Sequence, residues 1–350
     1  MLKKAYYDML NIDQLEQYVA DVMQSSRIPG LALAIVSDRS ILYARGFGVA
    51  SLEDGRVPVT PQTLFRIGST TKSLTGTAAM RLVEQGQLAL DAPIKTYIDW
   101  FRLRDPGAAD AVTLRMLLSH TAGLPTDWEV YNQHDPAALA RYVRDDVPRY
   151  PLVAAPGTQF EYSNVGTNIV GYLIEVVTDM PFVAAMQALI FDPLEMRRTT
   201  FDPTVAMTYP LAQGHTLAED GSIGVHHQFA NHTAHYPAGF VISTVLDMAN
   251  FAIMHLDRGR FRDQQLLTPE SVALMHAAHT AFRKPAGEGY GLTFMIEQYK
   301  GVRLVGHSGS IPYFHSRLYL VPDAGVAVIA VANCMAGFQQ VINNVLDQLL

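Results

Sequence analysis

Ser69 and Lys72, in the segment Ser69-Thr70-Thr71-Lys72, are three positions apart and combine a hydroxyl with an amine. On a helix this spacing places the two Cβ atoms about 5–6 Å apart on one face, so the amine can reach the hydroxyl. A partly desolvated lysine has a lowered pKa and can activate such a serine as a nucleophile for acyl transfer. The alternative is a serine N-cap followed by a solvated lysine, and this short pattern alone does not decide between the two.

A second polar segment, Tyr162-Ser163-Asn164, follows Pro156-Gly157 and precedes a helical run, "GTNIVGYLIEVV". Acyl transfer needs a further group that moves protons and donors that hold the oxyanion, and a tyrosine in such a turn can supply the first. The alternative is a simple capping turn with Ser163 or Asn164 as the N-cap.

A third segment, "GHSGS" at residues 306–310, ends a β run. Gly309 would let another chain or a substrate backbone approach this strand, and an extended substrate could pair with its edge. The segment also resembles the G-x-S-x-G nucleophile elbow, but residue 310 is Ser310 and a strand rather than a helix follows. Ser308 is therefore not predicted to be the nucleophile.

The elements that must position these residues follow from periodicity and turn signals. Residues 12 to 26 predict an amphipathic helix, and two apolar β runs around Asp38-Arg39 predict a hairpin. Short β runs from about residue 289 to 334 predict an antiparallel meander, and the chain ends on a helical run. We therefore expect an α+β fold in which both chain ends form one antiparallel sheet flanked by helices. The single domain 1–350 would comprise a sheet subdomain (about 1–60 plus 290–350) and a mainly helical inserted subdomain (about 61–289).

Composition narrows the class of protein. The chain has 350 residues, of which 49% are apolar and 17% charged, as in globular proteins. Its net charge of −7, without a block of like charges, disfavours binding to nucleic acid or to an anionic membrane. The single cysteine, Cys334, lies in an apolar run and predicts a buried thiol. Neither a signal peptide nor a membrane-spanning run is recognisable, so a complete chain would be cytoplasmic.

Histidines are the remaining candidates for ligands. Four of them, His226, His227, His232 and His235, lie in "VHHQFANHTAHY", where no acidic or cysteine partner stands at metal-ligand spacing. We therefore expect a loop at the mouth of an active site rather than a metal centre, and no cofactor.

The three polar segments occur in the order and rough spacing of the serine β-lactamase and penicillin-binding-protein family. The chain most resembles the class C β-lactamase-like branch, which includes D-aminopeptidases, DD-carboxypeptidases and family VIII esterases. The resemblance covers nearly the whole chain, and its blocks are "LFRIGSTTKSLTG", "LLSHTAGLP", "FEYSNVG", "PLEMRRTTF" and "VGHSGSIPYF". By this resemblance His120, in "LLSHTAGLP", is structural rather than catalytic.

The resemblance also implies roles. Ser69 would be the acylated nucleophile and Lys72 a base or proton shuttle beside it. Tyr162 would pass a proton to the leaving group and later activate water, and whether it or Lys72 is the resting base stays open. Asn164 would bind Lys72 or a substrate amide. Backbone N–H groups of Ser69 and Ser310 would form the oxyanion hole.

His307 departs from the family pattern, because β-lactamases and many penicillin-binding proteins place a carboxylate-binding lysine there. Histidine is mostly neutral at pH 7, so we expect a weakened substrate anchor. A histidine at this position resembles the D-aminopeptidases and argues against an efficient β-lactamase. Tyr313 and Phe314 would add bulk beside the acyl pocket.

The predicted function is a cofactor-free serine hydrolase that cleaves amide or ester bonds of a small molecule or short peptide through an acyl-enzyme. A peptidase for small or D-residue-containing peptides and a carboxylesterase are equally consistent with the motifs, because this scaffold hosts several chemistries. The alternatives are an acyltransferase and a penicillin-binding sensor that turns over slowly. The substrate and the oligomeric state stay open.

Overall fold

A seven-stranded antiparallel sheet joins the two ends of the chain in the computed structural model, which describes residues 9–53, 57–127, 133–281 and 288–350. Its first strand pairs with its last, from Leu31 opposite Ala332 to Ser37 opposite Val326. The predicted α+β class is confirmed. The strands, in spatial order, are Ser40–Gly48, Gly30–Ser37, Val326–Ala332, Phe314–Val321, Val302–Ile311, Met295–Tyr299 and Gly289–Tyr290.

The N-terminal hairpin forms where the sequence predicts it. Asp38 and Arg39 have φ values of 48° and 62°, and positive φ at both central residues is the turn geometry that matches the twist of paired strands. Every residue of Gly30–Ser37 is buried. Because side chains alternate between the faces of a strand, this sheet must be covered on both sides.

Two helices from the chain ends, Ile12–Ser25 and Gln339–Leu349, cover one face of the sheet. Leu15 and Val345 lie in the same apolar cluster as Leu31 and Leu33 of the first strand. The predicted amphipathic N-terminal helix and C-terminal helix are thus both present. Cys334 is buried in this cluster, and burial raises the pKa of its thiol.

The other face of the sheet packs on the region between its two halves. The longer helices there are Thr71–Glu84, Asn164–Thr178 and Val245–Leu256. Val245–Leu256, which lies in the predicted helical subdomain, packs directly on the sheet. The predicted boundaries between the sheet subdomain and the helical subdomain stay a prediction. The shorter helices are Pro106–Ala111, Leu114–Leu118, Ala138–Arg141, Phe182–Met186, Pro203–Ala206, Tyr236–Gly239 and Pro269–Met275, and the short strand pairs are Phe65–Arg66 with Ile242–Ser243, Gly214–Leu217 with Ile223–His226, and Arg260–Phe261 with Gln264–Gln265.

Across the described ranges, no single helix combines the length and apolar composition of a membrane span. Two consecutive helical segments, Asn164–Thr178 and Phe182–Phe191, meet both criteria only in combination, and the chain bends by 83° between them.

Candidate active site

Ser69 lies in a single 3-10 turn, Gly68–Thr70, that leads directly into the helix Thr71–Glu84. The Nζ atom of Lys72 is 3.2 Å from the Ser69 Oγ atom, so the predicted contact forms. The lysine is completely buried, and the Thr70 side chain makes no capping hydrogen bond. The alternative of a serine cap beside a solvated lysine is therefore wrong.

Two further oxygens complete the surroundings of the Lys72 amine. Its Nζ atom is 2.7 Å from Asn164 Oδ1 and 2.6 Å from the Ala238 carbonyl oxygen. In the described part of the chain no carboxylate lies within 4.0 Å of it. Burial lowers the pKa of Lys72 well below its ordinary value. A neutral amine fits these contacts, because it can donate to the two carbonyl oxygens and accept from the Ser69 hydroxyl.

Tyr162 contacts the same serine from another side. Its phenol makes a hydrogen bond with Ser69, and the Lys72 Nζ atom lies 4.9 Å from the centroid of its ring. Burial raises the pKa of Tyr162 well above its ordinary value, and the hydrogen bond with Ser69 offsets only part of that rise. The geometry thus favours a protonated phenol and a neutral amine on the same hydroxyl.

Asn164 is the first residue of the helix Asn164–Thr178, and Ser163 caps that helix by accepting from the N–H of Gly166. The predicted capping turn therefore exists, and the same turn aims Asn164 into the site. Besides accepting from Lys72, Asn164 donates through Nδ2 to the Asp127 carbonyl oxygen at 3.1 Å. Fixed at both ends, this amide presents its oxygen to the amine.

His307 is buried, with only 1% of its surface exposed, and both ring nitrogens have partners. Nδ1 donates to the Ser308 carbonyl oxygen at 2.6 Å, which leaves Nε2 to accept from the Tyr290 hydroxyl at 2.9 Å. Burial above all lowers the pKa of His307 to about 3. A neutral, enclosed imidazole offers no cation to a substrate carboxylate, and the expected weak substrate anchor at His307 stays a prediction.

Gly309 makes the predicted close approach, but to a different neighbour. A Cβ atom on Gly309 would lie 1.8 Å from the carbonyl oxygen of Ile67, two residues before the nucleophile candidate. At Gly309 the strand therefore contacts the backbone of this same chain, whereas the sequence led us to expect another chain or a substrate backbone. Ser316 donates to the same Ile67 oxygen at 2.6 Å and fixes the contact.

Ser310 lies against the turn that carries Ser69. A Cβ atom on Gly68 would be only 2.7 Å from the Ser310 backbone nitrogen, and Gly68 has a φ of +52°. Because a side chain at Gly68 would collide and be strained, glycine allows the two backbone segments to meet. The side chain of Ser310 is exposed, so its backbone is the part that faces the turn.

We expect Gly309→Ala to damage the site through this contact. The added methyl must push the strand away from Ile67, which should destabilise the fold by about 1–3 kcal/mol. It should also displace one candidate oxyanion donor and lower kcat by roughly 10²–10³. Gly337→Ala is the control, because a Cβ atom there meets nothing within 4 Å. Equal kcat and melting temperature in the two variants would contradict the role of this contact.

An aromatic wall that the sequence did not reveal surrounds these groups. Tyr290 is fully buried, and its ring lies 4.8 Å from that of His120, which is in turn 4.6 Å from the ring of Tyr162. His120 accepts from the Ser163 N–H at 3.3 Å, in keeping with its expected structural place. No spacing rule points to Tyr290, because its partners come from distant parts of the chain.

The histidine-rich run divides into two parts. His226 packs on Tyr313 with ring centroids 3.8 Å apart, whereas His232 and His235 are buried. Asp127 Oδ2 lies 3.9 Å from His235 Nε2. Among the residues that the structure describes, no group of three or more His, Cys, Asp or Glu side chains could hold a metal ion.

Comparison with known proteins finds one family model and several similar proteins. A family model described as Beta-lactamase matches residues 15–349. Penicillin-binding protein 4 of Amycolatopsis lactamdurans is 30% identical over 312 residues, which cover 87% of this chain and 81% of that protein. Unguisins hydrolase ungD' of Aspergillus campestris is 30% identical over 341 residues, which cover 92% of this chain. The match spans only 62% of the length of that hydrolase.

A solved structure has the same architecture. The octameric penicillin-binding protein homologue from Pyrococcus abyssi superimposes with a TM-score of 0.80 at 29% identity, covering 93% of this chain and 74% of that one.

Proposed function

The chain belongs to the beta-lactamase family, whose members are serine hydrolases acting on amide or ester bonds, and we propose that it acts through an acyl-enzyme on Ser69. One observation carries this proposal. The fully buried amine of Lys72 lies 3.2 Å from the Ser69 hydroxyl without a carboxylate partner in the described chain. Burial favours the neutral form of such an amine, and the neutral amine can accept the proton of the serine.

Acylation then follows from the positions of four groups. Lys72 takes the proton from Ser69, and Oγ attacks the substrate carbonyl carbon. The N–H groups of Ser69 and Ser310 hold the oxygen that becomes negative. Tyr162 gives its phenolic proton to the leaving amine or alkoxide, and Lys72 returns the serine proton to the phenolate. The net change is one proton moved from the serine to the leaving group.

Deacylation uses the same groups in reverse. A water molecule takes the place of the leaving group beside Tyr162, loses a proton to the Lys72–Tyr162 pair and attacks the acyl carbon. Ser69 then leaves with a proton from Lys72, and the resting arrangement is restored. If an amine or alcohol replaces water in this step, the product is that of an acyltransferase.

For the substrate class, we propose a small-peptide or D-amino-acid peptidase or a carboxylesterase rather than an efficient β-lactamase. The neutral, enclosed His307 supports this, because it removes the cation that would hold a β-lactam carboxylate. Similarity to a penicillin-binding protein supports tests with penicillin, and similarity to an unguisins hydrolase supports tests of hydrolysis.

The first test is covalent labelling. We expect a fluorophosphonate or a labelled penicillin to modify Ser69, as mapped by mass spectrometry. Ser69→Ala should take no label, whereas Ser308→Ala, the matched control in the nearby strand, should be labelled like the natural protein. Labelling of Ser308, or labelling that persists in Ser69→Ala, would contradict the assignment.

The second test separates the substrate classes. p-Nitrophenyl esters, D- and L-aminoacyl anilides and nitrocefin should be compared for steady turnover. Sustained hydrolysis of anilides supports the peptidase, and hydrolysis of esters alone supports the carboxylesterase. A stoichiometric burst followed by arrest would instead indicate the penicillin-binding sensor.

A further inference from the structure

Arg66 is a buried cation that the mechanism above does not use. It lies three residues before Ser69, in the short strand Phe65–Arg66, and only 3% of its surface is exposed. Within the described ranges no carboxylate lies within 4.0 Å of its guanidinium, and its Nε atom has no hydrogen-bond partner. A buried charge of this kind is costly unless a counter-charge and hydrogen bonds compensate it.

The contacts that Arg66 does make hold its guanidinium in one place. Its Nη2 atom donates to the Ala230 carbonyl oxygen at 2.7 Å. The guanidinium carbon lies 4.5 Å from the ring centroid of Phe229 and 5.1 Å from that of Phe240. Two aromatic rings and one carbonyl therefore fix the planar group, while part of its donor edge stays unused.

Arg66 lines a cavity of about 150 Å³. Among the described residues no aspartate or glutamate lines this cavity, so no carboxylate from that part of the chain competes for Arg66 there. Glu53 lies near the rim, 3.4 Å from the exposed His227. The rest of the wall combines aromatic and small residues with polar ones, the polar ones being Gln213, His226, His227 and Gln228. At about 30 Å³ per water molecule in the liquid, the volume suits roughly five heavy atoms.

The cavity lies at the end of the strand that carries Ser310, a candidate oxyanion donor. The strand Val302–Ile311 runs from His307 past Ser310 and ends beside Pro312 and Tyr313 of the cavity. The leaving group must meet Tyr162, whose ring is 6.2 Å from that of His307, near the other end of this path. A substrate whose leaving group faces Tyr162 would direct its acyl portion the other way along this path, towards Arg66.

We propose that Arg66 and this cavity form a subsite for a carboxylate carried on the acyl portion of the substrate. The inference rests on the proposed acyl-enzyme mechanism and names an acidic acyl donor as its substrate class. Guanidinium and carboxylate groups form paired, charge-assisted hydrogen bonds that can satisfy the unused donors. The cavity accommodates the carboxylate with two or three carbon atoms linking it to the reacting carbonyl.

The test compares matched substrates that differ in one charge. Monoesters or monoanilides of succinic and glutaric acid are measured beside analogues whose free carboxylate is capped as an uncharged carboxamide. In the natural protein the acid should have a KM about 10- to 100-fold below that of its analogue, the range expected for a hydrogen-bonded charge pair. Equal KM values for acid and analogue would overturn the proposal.

Variants of Arg66 test whether this residue causes the preference for the acid over its carboxamide analogue. Arg66→Gln should bring the ratio of the two KM values close to one, and Arg66→Lys should retain part of the preference. The carboxamide analogue reports general damage, so the ratio is the readout. A ratio that Arg66→Gln leaves unchanged would overturn the proposal.

A second pair of variants works even if Arg66 cannot be replaced in a folded protein. Gln228 lines the cavity and is exposed, which favours folding of its variants. Gln228→Glu should lower the acid preference severalfold by repulsion, and the matched Gln228→Lys should raise it. No difference between these two variants would contradict an anionic ligand in the cavity.

Labelling of Ser69 distinguishes failure of the Arg66 subsite from failure of the proposed acyl-enzyme function. A protein that is labelled at Ser69 and hydrolyses both substrates without an acid preference retains the proposed function and refutes this subsite. A protein that takes no label and hydrolyses neither refutes the proposed function. Binding of glutarate to Ser69→Ala, followed calorimetrically, then tests Arg66 alone, and its absence refutes the subsite as well.

Discussion

Lys72→Met is expected to slow acylation of Ser69 by roughly 10⁴-fold, the scale on which loss of a base beside a serine nucleophile acts. Methionine fills the buried volume of Lys72 without a nitrogen to desolvate. It leaves Asn164 Oδ1 and the Ala238 carbonyl oxygen without their donor, at a cost of about 1–3 kcal/mol for each group. The variant should therefore fold with reduced stability, and the rate should fall far more than stability explains.

The rate constant of fluorophosphonate labelling measures this effect directly. Lys95→Met is the matched control, because Lys95 pairs with Asp110 at 2.7 Å on the exposed surface, away from the nucleophile candidate. It should label at the natural rate. A labelling rate for Lys72→Met within tenfold of that control would show that another group accepts the serine proton.

The pH dependence of activity tests which protonation states of Lys72 and Tyr162 are the active ones. Lys72 must be neutral to act, and burial lowers its pKa well below the ordinary lysine value. Activity should therefore appear as pH rises through that lowered pKa and then reach a plateau. Tyr162 must keep its proton, and burial raises its pKa, so its ionisation should not reduce activity below about pH 10, the ordinary tyrosine value. A descending limb near neutral pH would contradict this assignment.

Local pattern predicted much of this fold. Turn chemistry at Asp38-Arg39 and β-branched runs near the C-terminus indicate the sheet, because both depend on neighbours in the chain. The spacing of Ser69 and Lys72 likewise predicts their contact from helix geometry alone. The strand that joins the two ends of the chain into one sheet is Gly30–Ser37, which is buried along its whole length and needs cover on both faces.

The remaining features depend on residues that are distant in sequence. Gly309 shows the limit, because a glycine in a strand indicates a close approach without naming the approaching atom, here the Ile67 carbonyl oxygen. The neutral state of His307 depends on its burial, and the isolation of Arg66 depends on which carboxylates the fold keeps away from it. Periodicity reports which side of an element is buried but carries no information about the group that lies against it.

Tyr162→Phe should separate the two candidates for the resting base. It removes one hydroxyl from a half-buried ring and leaves the amine of Lys72 in place. If the phenol only protonates the leaving group, kcat/KM for an anilide should fall by roughly 10²–10⁴, the range of general acid catalysis. A p-nitrophenyl ester should lose much less, because its leaving group is stable as an anion and needs no proton.

The ascending limb of the pH–activity profile also distinguishes Lys72 from Tyr162 as the resting base. With Lys72 as the base, the limb should persist at the same pH in Tyr162→Phe, since the group that titrates is still present. With Tyr162 as the base, the limb should disappear, and the ester and the anilide should lose activity equally. Tyr97→Phe controls for removal of a hydroxyl that is hydrogen-bonded elsewhere, to the Ala89 N–H at 2.7 Å, and should keep both activities. An unchanged kcat for the anilide in Tyr162→Phe would exclude Tyr162 from the proton path altogether.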